Sequence, residues 1–207
     1  MTERSVPDAE RRRRRAAIAG HQGDEATARE LIDDADPAVR SAALGALHRL
    51  DVVTGADLAR SLADGEPAVR RRALELIAAL GGDGPAAGVA IVPLLDDPDP
   101  TVVEVAAWAS GERDPAEPGA VARLATLAVQ ADDALVREAA VAALGSLGDP
   151  AGLPAILAGT KDKATVRRRA VIALAPFDGP EVDAALDAAQ TDRDWQVRQA
   201  AEDLTGH

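Results

Sequence analysis

Apolar and polar positions along the chain follow a helical period with a longer period laid over it. The stretch DPAVRSAALGAL, residues 36–47, sets Val39, Ala43 and Leu47 four residues apart with Arg40 beside the apolar line. It recurs as EPAVRRRALELI (66–77), DPTVVEVAAWAS (99–110), DALVREAAVAAL (133–144), KATVRRRAVIAL (163–174) and DWQVRQAAEDLT (194–205). Aligning Val39, Val69, Val102, Val136, Val166 and Val197 gives spacings of 30, 33, 34, 30 and 31 residues. A second apolar run precedes each copy: EATARELI (25–32), ADLARSLA (56–63), AAGVAIVPLL (86–95), AVARLATLAV (120–129), LPAILA (153–158) and EVDAALDAA (181–189). Apolar residues at i, i+3, i+4 and i+7 predict amphipathic helices, and no segment alternates as a strand does. Each repeat is therefore a helix, a turn and a second helix, unable to bury its apolar face without a stacked neighbour.

The intervening segments DDADP, LADGEP, DDPDP and GDPAG hold the residues that start helices. Proline in a first helical turn gives up an N–H that has no partner there, and a preceding Asp can cap the remaining free amides. Gly81, Gly82, Gly84 and GERDPAEPG at 111–119 make longer breaks around the third repeat, where a change of curvature is expected. The expectation is one repeat domain over 1–207, with a basic capping helix at 1–23 and six helix-turn-helix repeats at 24–205.

Composition narrows the chemistry. The chain is 47% hydrophobic but 1% aromatic, so its core must be built from Ala, Leu, Val and Ile. The absence of Cys removes disulfides, zinc-thiolate sites and thiol nucleophiles, and fits a reducing cytosol. The apolar stretch AAIAG at 16–20 is too short for a signal peptide, and no run reaches the length of a membrane span, so a cytoplasmic protein without membrane attachment is expected. A net charge of −12 opposes general binding of nucleic acid, whose affinity comes largely from Lys and Arg neutralising phosphates. Five consecutive arginines at 11–15 are the local exception. They are read as a solubilising helical cap with Ala16, Ala17 and Ile18 turned inward.

The segments DPAVRSAALGAL and DPTVVEVAAWASGE resemble short HEAT-like repeats of the phycobilin lyase type, and the resemblance covers residues 24–205. It implies an all-α, right-handed superhelical α-solenoid of about six helix pairs with an extra N-terminal helix. The repeats are shorter than the ~40–47 residues of standard HEAT repeats. In such repeats an Asp in the turn and an Arg early in the second helix form a ladder between neighbours. Arg40, Arg70, Arg137, Arg167 and Arg198 match that Arg. Six residues before the ladder position stand Asp34, Asp64, Asp97 and Asp192, but Ala131 and Lys161 occupy two of these places and Val103 replaces one Arg. The ladder is thus expected to be interrupted across the third to fifth repeats, with Asp132 or Asp162 as substitutes.

The resemblance also places the second helices on a concave groove, with outward positions two, six and nine residues after each aligned Val. The central entries of that groove are Arg71 and Glu75, then Glu104, Trp108 and Glu112 at successive four-residue steps, then Glu138 and Arg168. An aromatic flanked by carboxylates and arginines, with small Ala and Gly opening space beside it, has the composition of a binding hot spot. Packing of Trp108 between the third and fourth repeats is the competing reading. Trp195, standing where other repeats carry Pro, is expected to pack on the last repeat.

Catalytic groupings are sparse. His21, His48 and His207 are far apart, so neither a metal triad nor a Ser-His-Asp arrangement is suggested, and no metal or other cofactor is expected. GGDGP opens no phosphate-binding fingerprint. The reading is a non-enzymatic scaffold that binds a protein segment in its groove, the acidic rim favouring a partner with Lys or Arg. The alternatives are a HEAT-like DNA glycosylase, with Trp108, Glu112 and Arg168 in its groove, and a bilin lyase or chaperone-like subunit.

Overall fold

The computed structural model describes residues 8–206, so the first seven residues of the expected cap and His207 lie outside the described residues. Every regular element among them is helical. The chain divides into two compact units, one ending at Val89 and the other starting at Ala90. The first holds α1 (Asp8–Gln22), α2 (Glu25–Leu31), α3 (Pro37–Arg49), α4 (Gly55–Leu62) and α5 (Pro67–Ala79), followed by a 3-10 turn at Gly84–Ala86. The second holds a 3-10 segment at Val92–Asp96, then α6 (Pro100–Gly111), α7 (Ala120–Gln130) and α8 (Ala134–Leu147). After a 3-10 turn at Pro150–Gly152 come α9 (Leu153–Gly159), α10 (Ala164–Ala173), α11 (Pro180–Gln190) and α12 (Trp195–Thr205).

Second helices form one layer in each unit: α1, α3 and α5 stack in the first, and α6, α8, α10 and α12 in the second. Their apolar stripes explain the order. The aligned valines and the alanines four residues after them, Ala43, Ala73, Ala106, Ala140, Ala170 and Ala201, are all buried. Asp36, Asp99, Asp133 and Asp194 each accept a hydrogen bond from the amide two residues on, at 2.8–2.9 Å, and so start α3, α6, α8 and α12.

Small residues set the spacing within the layer. A Cβ built on Gly111 would lie 2.8 Å from the Ala143 Cα, and one on Gly20 equally close to the Ala46 Cα. Gly145 of α8 meets the Ala173 Cα in the same way, at 2.7 Å; such glycines are helix-crossing contacts, which corrects the expectation that small Gly residues beside Trp108 open space in a groove.

Two further expectations fail locally. The run at 86–95 is not an α-helix: Gly84 and Gly88 take positive φ of 53° and 73°, and Pro85 and Pro93 lack amide donors, leaving short 3-10 turns. The Glu117 carboxylate accepts from the Ile91 amide at 2.9 Å and the Val92 amide at 3.3 Å, partnering backbone that a helix would have satisfied. In α1, Ala16, Ala19 and Gly20 are buried while Ala17 is exposed and Ile18 is 40% exposed, because only one stripe of a helix can face α3.

Candidate functional site

Three ladder arginines, Arg40, Arg137 and Arg167, reach in two directions. Arg40 donates through Nε and Nη2 to the two oxygens of Asp64 in the following turn, at 2.8 and 2.7 Å, while its Nη1 bonds the Asp34 carbonyl of its own turn at 2.9 Å. Arg137 does the same with Asp162 (2.6 and 2.9 Å) and the Ala131 carbonyl (2.7 Å). Arg167 engages Asp192 (2.8 Å twice) and the Asp162 carbonyl (2.9 Å). Arg70 and Arg198 bond the carbonyls of Asp64 and Asp192, at 2.8 and 2.7 Å. Asp97 accepts from the Asp99 amide at 2.9 Å.

The interruption is therefore narrower than expected over the third to fifth repeats. Arg137 and Arg167 both reach forward into carboxylates, and Asp162, five rather than six residues before its ladder arginine, takes the place beside Lys161 as the expected substitute. At the ladder position of α6, Val103 is buried instead. Asp132 offers Arg137 its carbonyl, at 3.0 Å. The ladder also begins earlier than the repeat pattern indicates: Arg12 of α1 makes the same fork to Asp34, at 2.7 and 3.0 Å. Its position inside RRRRR hid it, since nothing local separates Arg12 from its neighbours. Arg29 of α2 makes a parallel tie to Asp57 of α4 at 2.6 Å.

These bonds hold the aspartates ionised. The Arg12 guanidinium holds Asp34 below the usual carboxylate range, and Arg137 and Arg167 do the same for Asp162 and Asp192. For Asp64, burial pushes upward, but the Arg40 fork and the Glu66 amide together outweigh it.

The outward face of the second-helix layer holds the other candidates. In the second unit Trp108 is 45% exposed in the last turn of α6, with Glu104 half-buried one turn before it and Glu112 exposed at the helix C-cap. Glu138 of α8 is half-buried, with Arg169 of α10 at 3.6 Å, and Arg168 is exposed. Arg71 and Glu75 belong to α5 of the first unit, where Arg72 donates to Glu75 at 3.1 Å.

Trp195 corrects the packing expectation: at the first position of α12 it is 65% exposed, because a residue at a helix start projects beyond the stripe that meets α10. With Arg168, Ile172, Gln199 and Leu204 it lines a cavity of about 300 Å³ on the second-helix face. A larger cleft, about 760 Å³, lies between α9 and α11 and includes Val171 and Val197. Among the described residues no group of three His, Asp or Glu is placed to hold a metal ion, and no helix is long and apolar enough to cross a membrane.

Comparison with known proteins adds family and fold. The family described as HEAT repeats matches residues 56–145, 89–175 and 121–204. No curated protein sequence matches the chain significantly. Among solved structures, an engineered protein is similar at 22% identity and a TM-score of 0.67, over 86% of this chain and 96% of that one. A designed armadillo repeat protein in complex with peptide (KR)4 is similar at 17% identity and a TM-score of 0.61, over 97% and 99% of the two chains. The protein YibA of Escherichia coli is similar at 17% identity and a TM-score of 0.63, over 97% of this chain and 75% of that one.

Proposed function

The chain belongs to the HEAT-repeat family, and from that premise we propose that it is a non-enzymatic protein-interaction scaffold whose second-helix face around Trp108 holds a partner segment. The carrying observation is Trp108 itself: a large aromatic, 45% exposed on a helix, with Glu104 one turn before it and Glu112 one turn after it. Leaving that much indole in water costs hydrophobic free energy, which a partner recovers on docking. Stacked helices present the face with little ordering cost, so contact energy is available for affinity.

The neighbouring carboxylates Glu104, Glu112 and Glu138 favour a segment with Lys or Arg, and the designed armadillo protein with a (KR)4 peptide is a similarly built scaffold holding such a segment. A cytoplasmic location goes with this reading.

Fluorescence anisotropy with a labelled (KR)4 peptide tests it. Trp108→Ala is expected to weaken binding by on the order of 2 kcal/mol, about thirtyfold, with helical circular dichroism unchanged. Unchanged binding combined with a large drop in melting temperature would show instead that the indole is a packing element.

A further inference from the structure

The arginine runs of the first unit converge. In α1, Arg12 is taken by Asp34 and Arg15 by Glu30, at 2.7 and 2.8 Å, whereas Arg13 points onto the outward face together with Ala17, one turn later. In α3 that face continues through Ser41 and Arg49, and in α5 through Arg71, Arg72 and Glu75. Together they line a cleft of about 490 Å³ that lies wholly within the first unit. Its volume falls in the ~300–1,000 Å³ range typical of sites that enclose a small ligand or several side chains.

Four guanidinium groups here face one carboxylate, and Arg72 already holds that carboxylate, Glu75, at 3.1 Å. Gly45 makes room for this arrangement, since a Cβ there would come within 2.8 Å of the Arg72 Nη2. The Arg49 guanidinium sits over Gly20, where a Cβ would come within 3.1 Å of its Nη1. Arg71 Nε and Ser41 Oγ are shut off from solvent and have no hydrogen-bond partner. Desolvated donors beside unopposed positive charge create a demand for acceptor oxygens. Elsewhere in this unit Arg12, Arg15, Arg29, Arg40 and Arg60 are each met by a carboxylate.

We propose that this cleft binds an acidic peptide segment, its Asp or Glu carboxylates paired with Arg13, Arg49, Arg71 and Arg72. A planar guanidinium forks onto a carboxylate, and Ala17, Ala38, Ala42 and Ala68 supply a low apolar surface for the stems of such a segment. Peptide carboxylates are favoured over a nucleic-acid backbone because the chain's net charge of −12 repels a long polyanion, while a short acidic segment meets only the local field. The inference rests on the scaffold reading in taking the partner to be a protein, and it gives the first unit a preference opposite in sign to that of the Trp108 face.

Anisotropy with labelled (DE)4, (KR)4 and octathymidylate probes, on the full chain at about 50 and 500 mM salt, tests it. Arg13→Glu with Arg49→Glu changes two exposed side chains, and Arg71→Ala removes a half-buried one; circular dichroism checks the fold of both variants. The expected result is (DE)4 binding that falls at least tenfold with the double variant and with salt, (KR)4 binding being no weaker. Absence of (DE)4 binding to wild type, binding indifferent to both variants, or tighter binding of octathymidylate than of (DE)4 overturns the proposal. Loss of (KR)4 binding alone counts against the Trp108 reading and leaves the arginine cleft standing.

Discussion

Gly145 of α8 stands where Gly111 stands in α6, and a Cβ built on it would lie 2.7 Å from the Ala173 Cα of α10. The neighbour there is backbone, which cannot swing aside as a flexible side chain can. Gly145→Ala gains helix propensity of up to ~1 kcal/mol yet overpacks the crossing, and a net loss of roughly 1–2 kcal/mol is expected in thermal unfolding followed by circular dichroism. Gly65→Ala is the matched control, because its added Cβ meets nothing within 4 Å, and it should change stability by less than ~0.5 kcal/mol. One glycine lies in an aligned helix and the other in a turn, but only the neighbour's backbone says which of them cannot accept a methyl group.

Among the elements, starts were more readable than interiors. The Asp-Pro and Asp-x pairs mark α3, α6, α8 and α12, and each Asp caps its helix. The equivalent residue of α5 is Glu66, with the same extended backbone (φ −97°, ψ 123°) and no side-chain cap bond. One extra methylene moves its carboxylate past the amide that Asp36 reaches at 2.9 Å in α3. Glu66→Asp is therefore expected to stabilise the protein by about 0.5–1 kcal/mol, read as a higher melting temperature. The run at 86–95 shows the opposite limit: its apolar spacing suits a helix, but positive-φ glycines and two prolines prevail, since periodicity reports which side is apolar and not whether the backbone can close its bonds.

Across the whole molecule the ladder couples stability to pH. Asp34, Asp64, Asp162 and Asp192 have folded pKa values below those of the unfolded chain, where an aspartate titrates near ~3.9. Between the two values the unfolded chain binds more protons, so this stabilisation is complete above about pH 5 and is lost as pH falls through the folded values. Melting temperature should be level from pH 7 to about 5 on this account and fall steeply below about 4, and Asp162→Asn with Asp192→Asn should start lower and fall less.

Repetition let the sequence determine the all-α solenoid, the six second helices and the identity of the core, because stacked repeats bury mostly near-neighbours and the same stripe recurs in each. Tertiary structure alone decided that Arg12 begins the ladder, that Trp195 stands in solvent, and that Arg13, Arg49, Arg71 and Arg72 meet in one cleft. The reason is geometric: a periodic pattern records which side of a helix is apolar, whereas pairing between polar groups on different helices depends on turn length and side-chain reach, which leave no period behind.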